Sequence, residues 1–400
     1  MWSPTYVSYV AARALASLAM QTLLLIVGLA LYDLTSNPFF LGVAGLMIFV
    51  PAILLVFVTG LAADRLSRPA ILSVTFGVVA ICTSLYAVLE ATGDLSPSAI
   101  LAILAIIGVA RAFFNPTTKA LLPNVVPPDL TPKAIAFNTS LGKFATITGP
   151  IAGGFLYAVD PFWAYSFVAI AFTGATLSAL LIRNTGQERS TNPLTPADVV
   201  AGFRAIRADQ VLFGAMTLDL CAVLLGGVTA LLPIYAHEVL FVGPAETGIL
   251  RASIAVGTLC SGLILIWRPL RRRAGLVMLV SIMGYGAAIC IFALSANFWL
   301  SAAALLVAGA FDMISIYVRE ILIQIRTADG LRGRVSAINS VFNSGANELG
   351  DFRAGTSAAL FGAVPAVLFG GVCSMLVAFA WGYSFKDLRR LQHLSGRPAG

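Results

Sequence analysis

Charge is what this sequence has least of. Only 11% of its 400 residues are Asp, Glu, Lys or Arg, where a soluble domain carries roughly 25%. A water-soluble fold of this length has no means of covering itself with so few, and that class is excluded. Histidine is nearly absent: His237, in an expected outer loop, and His393, in the tail, are the only two. A His-based catalytic or metal centre has nothing to build from. The five cysteines (Cys82, Cys221, Cys260, Cys290, Cys373) fall in apolar segments at no paired spacing. They read as free buried thiols, with no disulfide framework and no metal site. No HExxH, P-loop, GxGxxG or GxSxG is there to organise enzyme chemistry. The expectation is a protein that is not an enzyme and uses no metal or cofactor. The opening MWSPTYVSYV has no basic n-region and no small-residue cleavage pattern, so the first apolar segment is expected to be retained.

What the sequence does have is apolar length; 59% of the residues are hydrophobic. A helix needs ~20 apolar residues to cross a bilayer. Twelve stretches qualify, at about 5–31, 39–62, 69–90, 98–120, 133–158, 161–182, 210–236, 245–268, 274–295, 298–324, 334–361 and 364–385. The one long polar connector divides them into six and six. The expected organisation is an N-terminal six-helix half (1–183), a cytoplasmic connector (184–209), a C-terminal six-helix half (210–388) and a tail (389–400). With the N-terminus inside, the positive-inside rule is met one-sidedly. Of the 25 Lys and Arg, six lie within spans (Arg13, Arg111, Lys143, Arg251, Arg319, Arg353) and the rest in inner segments. The outer loops carry only acids: Asp33, Glu90, Asp94, Asp160, Glu238 and Glu246. Both termini are therefore expected in the cytoplasm. The net charge of +7 reads as topology and attraction to an anionic inner leaflet, not as nucleic-acid binding.

The two halves align without gaps at an offset of 201 residues. Leu121 meets Leu322, Leu130 meets Leu331, Ala136 meets Ala337, Asn138 meets Asn339, Gly149 meets Gly350 and Gly154 meets Gly355. Parallel six-helix repeats about an axis along the membrane normal are a transporter architecture, with the site near the midplane.

The loop GLAADRLSRPA holds Gly60, Asp64, Arg65 and Arg68. It resembles the G-x-x-x-D-R-x-x-R signature of the major facilitator superfamily, with Pro69 where a second Arg is common. Gly149, Pro150, Gly153 and Gly154 in GPIAGG resemble the antiporter motif of drug exporters. RAFFNPTTKALLPNVVP (111–127) and LRGRVSAINSVFNSGANELGDFRAG (331–355) are similar to the enterobactin-exporter-like branch of that superfamily, which usually has an acidic or small residue at the position of Arg353. The resemblance implies the all-helical major facilitator fold and helices four and ten lining a central cavity. In the GLAADRLSRPA loop Asp64, near a helix end, and the cations after it read either as a cytoplasmic gate at Gly60, Asp64, Arg65 and Arg68 that locks the inward-closed side or, for Arg65 and Arg68, as plain topology signal.

Charges inside spans are costly and mark function or internal pairing. Arg111 and Asp312 occupy corresponding positions of opposite sign in the two halves and are the leading coupling candidates, with Asn115 on the Arg111 face. Lys119, Arg319 and Glu320 sit near inner ends and read as gate or interfacial residues. Span one carries a thin polar row of Arg13, Ser17 and Gln21, with Met20 near the place where many drug exporters put an acid. Asp219 stands as a lone mid-helix charge, and Lys143 lies one turn before the GPIAGG motif.

In span eleven, Ser336, Ser340, Ser344 and Glu348 stack as one row and Asn339, Asn343, Asn347 and Asp351 as the next. That places Glu348 and Asp351 toward protein or a cavity, as packing contacts or as titrating carboxylates. Ile338, Val341, Phe342, Leu349 and Phe352 take the opposite, lipid face. By the same wheel Arg353 falls on that lipid side, where it snorkels to the outer interface or pairs with a neighbouring helix. The glycines and Pro150 of GPIAGG give either a kink or a tight static contact.

The functional expectation is a secondary active transporter in a bacterial cytoplasmic membrane. It acts as a monomer, driven by the proton gradient, exporting siderophore-like or amphipathic molecules by alternating access. The alternatives are an inward-directed facilitator or symporter of a small nutrient, and a non-transporting scaffold or sensor.

Overall fold

The computed structural model describes residues 3–55, 58–59, 62, 66–183, 196–270 and 273–391. Among these the chain is helical, without a strand. The first half contributes α1 (Pro4–Thr35), α2 (Pro38–Leu54), α3 (Arg68–Thr92), α4 (Pro97–Val125), α5 (Thr131–Val159) and α6 (Pro161–Leu180). A connecting helix α7 (Pro196–Ala208) follows. The second half contributes α8 (Gln210–Gly226), α9 (Leu232–Glu238), α10 (Pro244–Trp267), α11 (Ala274–Leu294), α12 (Phe298–Arg326), α13 (Asp329–Phe361), α14 (Ala363–Ser384) and the short α15 (Lys386–Arg390).

Helix starts follow local chemistry. Ser3, Ser96 and Asp160 each precede a proline and accept a hydrogen bond from a first-turn N–H, as do Asp209 and Asn297 without proline. Such caps satisfy donors that have no partner within the helix. Nine helical segments among the described residues are long and apolar enough to cross a membrane. The helix Pro38–Leu54 is shorter. Helices α5 and α13 are long enough but richer in polar groups.

One expected span is not a single helix. Residues 210–238 form α8, then Gly227 and Val228 in non-helical conformations, then a 3-10 turn Thr229–Leu231 leading into α9. Gly226-Gly227 and Pro233 are the local cause, since glycine weakens and proline interrupts a helix.

The chain divides into two compact units: 1–36 with 43–194 and 243–252, and 37–42 with 195–242 and 253–400. Their internal packing repeats. In the first, α1 packs on α4, α5 and α6, α3 on α4 and α6, and α5 on α4 and α6. In the second, each of these pairs recurs 201 residues on: α8 on α12, α13 and α14, α11 on α12 and α14, and α13 on α12 and α14.

The glycine pairs show the repeat at atomic level. A Cβ on Gly149 would stand 2.7 Å from Gln21 Cβ and 3.2 Å from Thr22 N on α1. A Cβ on Gly350 would stand 3.0 Å from Val223 O on α8, and Val223 is the counterpart of Thr22. Close approach of backbones at small residues is how membrane helices pack in the absence of a hydrophobic drive.

Candidate functional site

In the second unit two polar layers lie on the bundle interior. The deeper one centres on Asp219 of α8, 3% exposed, and Arg319 of α12, 2% exposed. Arg319 Nη1 bonds Asp219 Oδ2, and Ser315 Oγ donates to Asp219 Oδ1 at 3.1 Å. Asp219 is thus not a lone charge, and Arg319 is neither at the helix end nor snorkelling. A second ion pair bridges the same two helices at their ends. Arg326 Nε donates to Asp209 Oδ2 at 2.6 Å, and Asp209 Oδ1 also caps α8. The buried pair lies ten residues along α8 from Asp209 and seven back along α12 from Arg326. At 1.5 Å per residue that is about 10–15 Å inward. Arg319 Nε and Nη2 are buried without a hydrogen-bond partner among the described residues. Next to it, the exposed Glu320 accepts from Asn339 Nδ2 at 2.9 Å.

The second layer surrounds the interruption between α8 and α9. Ending a helix inside a membrane bundle leaves carbonyls and N–H groups without partners. Side chains from three other helices supply them. Arg353 of α13 donates from Nε to Leu224 O at 3.2 Å and from Nη2 to Gly227 O at 3.3 Å. Tyr285 of α11 donates its hydroxyl to Gly226 O at 3.0 Å, and Ser374 of α14 donates to Ala222 O at 3.3 Å. On the other side of the gap, Asp351 Oδ1 accepts from Ala230 N at 3.4 Å. A cation therefore meets the carbonyl end of α8 and an anion the amide end of the turn before α9, the favourable sense for both helix dipoles.

Asp312 of α12 is half-buried. The expectation that Arg353 snorkels on the lipid side is overturned. The wheel treats α13 alone, whereas the broken helix beside it presents carbonyls that a guanidinium can reach.

Two residues expected on the lipid face of α13, Ile338 and Phe342, also depart from the wheel. Ile338 is buried at 7% exposure in the core with Val335, and Phe342 packs against that core. Ser340, Ser344 and Asn347 are exposed, which a wet cavity face allows. Asn347 turns its amide onto Asn343 of its own helix, at 2.8 Å from O and 3.1 Å from Oδ1. Glu348 and Asp351 are half-buried.

The first unit is differently equipped. At the positions 201 residues before Asp219 and Arg319 it has Leu18 and Thr118. Arg13 is half-buried and donates to the Tyr9 hydroxyl at 3.3 Å, and Tyr9 donates to Thr118 O at 3.0 Å. Arg111 and Lys143 are half-buried. Gln21 lies against Gly149, whose carbonyl accepts from Thr22 Oγ1 at 3.0 Å. Gly153 faces Thr22 and Ile26, while a Cβ on Gly154 would stand 2.4 Å from Pro244 O. With Pro150 buried between them, the GPIAGG segment is gripped on two sides. Of the expected gate, Arg68 donates to Ala120 O at 2.9 Å and to Asn124 Oδ1. Gly60, Asp64, Arg65 and the side chain of Asn115 lie outside the described residues.

Sequence reasoning did not single out Ser315, Tyr285, Ser374 or Thr22. Only Gly226-Gly227 carried a readable signal, as a glycine pair inside an apolar run.

A family model described as Major Facilitator Superfamily matches residues 9–350. Macrolide efflux protein A of Streptococcus pyogenes is 22% identical over 272 residues, which is 66% of this chain and 66% of that protein. The enterobactin exporter EntS of Citrobacter koseri is 27% identical over 267 residues, 64% of this chain and 62% of that protein. The chain thus spans just under two thirds of the length of these curated relatives. These relatives are transport proteins, not enzymes. Among solved structures, a bacterial homologue of the human lysosomal transporter Spinster, inward-facing and unoccupied, aligns at TM-score 0.73 and 16% identity over 100% of both chains. A bacterial homologue of the iron transporter ferroportin, inward-facing, aligns at TM-score 0.70 and 18% identity, covering 97% of this chain and 99% of that one. At such identities the structural likeness is one of fold alone.

Proposed function

The chain belongs to the Major Facilitator Superfamily, and from that premise we propose that it is a proton-coupled exporter of amphipathic or siderophore-like small molecules. It crosses a bacterial cytoplasmic membrane twelve times with both termini inside and works as a monomer by alternating access. The relatives named for macrolide efflux and for enterobactin export support the direction and the substrate class.

The observation that carries the coupling reading is the buried Asp219–Arg319 pair with Ser315. An ionised carboxylate in an apolar bundle is tolerated only while paired. A conformational change that withdraws Arg319 leaves Asp219 two ways to be neutral: bind a proton or recover its partner. Taking up the proton on one side of the membrane and re-pairing on the other couples proton entry to the transport cycle. Asp312, Glu348 and Asp351 supply further carboxylates, and Arg111, with Lys143 and Arg13, a cationic counterpart for a substrate carboxylate or catecholate. No cofactor is needed.

The test is proton flux in proteoliposomes under an imposed pH gradient, with a macrolide and a catecholate siderophore as probes. A probe that dissipates the gradient in the wild type, and fails to do so in Asp219→Asn while still binding, is the expected result. Flux undiminished in Asp219→Asn, or no response with either probe in the wild type, removes the coupled-export reading.

A further inference from the structure

Helix α7 (Pro196–Ala208) lies outside the site described above, and its surface has an unusual make-up. Gly202 and Ile206 dock it against α13. A Cβ on Gly202 would stand 2.7 Å from Ile338 Cδ1 and 3.3 Å from Arg334 Cβ, and Ile206 is 2% exposed in the core. With Gly202 at 0° and Ile206 at about 40°, residues 203, 207, 200 and 204 fall near 100°, 140°, 160° and 200°. These are Phe203, Arg207, Val200 and Arg204, and all four are exposed. Among the described side chains, the arc opposite the docked seam has two large apolar groups, 40% and 50% exposed for Phe203 and Val200, and two arginines. Arg204 and Arg207 make no hydrogen bond or ion pair among the described residues.

Single exposed apolar residues are ordinary. An arc that alternates apolar and cationic groups fits one medium better than water. At the headgroup boundary of a bilayer the apolar side chains reach the acyl region and the guanidinium groups meet phosphates. The depth of α7 agrees. Asp209, the residue after it, caps α8 and pairs with Arg326 at the end of α12. So α7 ends where two bilayer-spanning helices begin and end.

We propose that α7 is an interfacial helix that binds anionic phospholipid, with Phe203 and Val200 inserted below the headgroups and Arg204 and Arg207 on lipid phosphates. The inference rests on the membrane-spanning reading of the chain but not on export or proton coupling.

The experiment places a reporter in the arc. Phe203→Trp in the full chain, reconstituted in nanodiscs of phosphatidylcholine with phosphatidylglycerol, is compared with the parent protein for quenching by brominated chains carried on either lipid. The expected result is quenching by both, with local enrichment of phosphatidylglycerol of roughly fivefold per arginine. That preference should be lost in Arg204→Gln/Arg207→Gln and kept in Arg204→Lys/Arg207→Lys. No quenching by either lipid puts the arc in water and overturns the proposal. Equal quenching by both lipids, unaffected by the glutamine substitutions, overturns recognition of the anionic headgroup. Because the readout needs no gradient and no substrate, it stands or falls separately from the transport assay.

Discussion

Asp351 and Arg353, two residues apart on α13, hold opposite sides of one gap in the neighbouring backbone. The carboxylate takes the Ala230 N–H, and the guanidinium takes the Leu224 and Gly227 carbonyls. Replacing Arg353 by Gln removes a charged donor from two half-buried acceptors. Hydrogen bonds to charged groups contribute roughly 1.5–3 kcal/mol. A loss of about 2–3 kcal/mol in the unfolding free energy of the purified protein is expected. Arg353→Lys should recover only part of it, because one ammonium does not match the two-pronged geometry. Unfolding monitored by circular dichroism in detergent checks this; an unchanged midpoint for Arg353→Gln would mean the gap holds itself.

The buried ion pair makes a sharper prediction. Removing one partner of such a pair strands the other, at about 3–5 kcal/mol. Asp219→Asn and Arg319→Gln should each destabilise the protein strongly. The double variant should cost clearly less than the two effects added. A double-mutant cycle on thermal or denaturant unfolding measures the coupling; strict additivity is incompatible with the contact.

Two glycines on one helix should respond oppositely to the same change. A Cβ at Gly154 would meet Pro244 O at 2.4 Å, while nothing lies within 4 Å at Gly142. Gly154→Ala forces backbone apart and should cost about 1–3 kcal/mol. Gly142→Ala, in open space within α5, should stabilise by about 0.5–1 kcal/mol. Melting temperatures of the two variants decide the matter.

At the helix ends, Asp209 has two tasks, capping α8 and pairing with Arg326. Asp209→Ala should cost about 1–2 kcal/mol, mostly from the cap. Arg326→Gln should cost about 1 kcal/mol or less, as the pair is partly exposed. If the arginine change proves the costlier in unfolding experiments, the cap is not the main contribution.

Much of the framework was legible because it is written locally. Apolar length marks where helices lie, and the 201-residue offset aligns Gly149 with Gly350 from the sequence alone. The site was less legible because its charges belong to pairs of helices. A wheel drawn for α13 had no knowledge of the gap in α8, so Arg353 was turned toward lipid. Arg319 was placed at the membrane edge because its partner, Asp219, lies 100 residues away in the chain. The register that brings them level is set by Asp209 and Arg326.

Helices α13 and α14 are joined through one non-helical residue, Gly362, at φ 88 and ψ 162. So short a leash leaves neither helix room to slide along the other. Arg353 and Asp351 ride on one, Ser374 on the other, and all three hold the backbone around the gap between α8 and α9. Whatever disturbs either helix therefore reaches that gap from two directions at once, as a hinge gripped by both leaves.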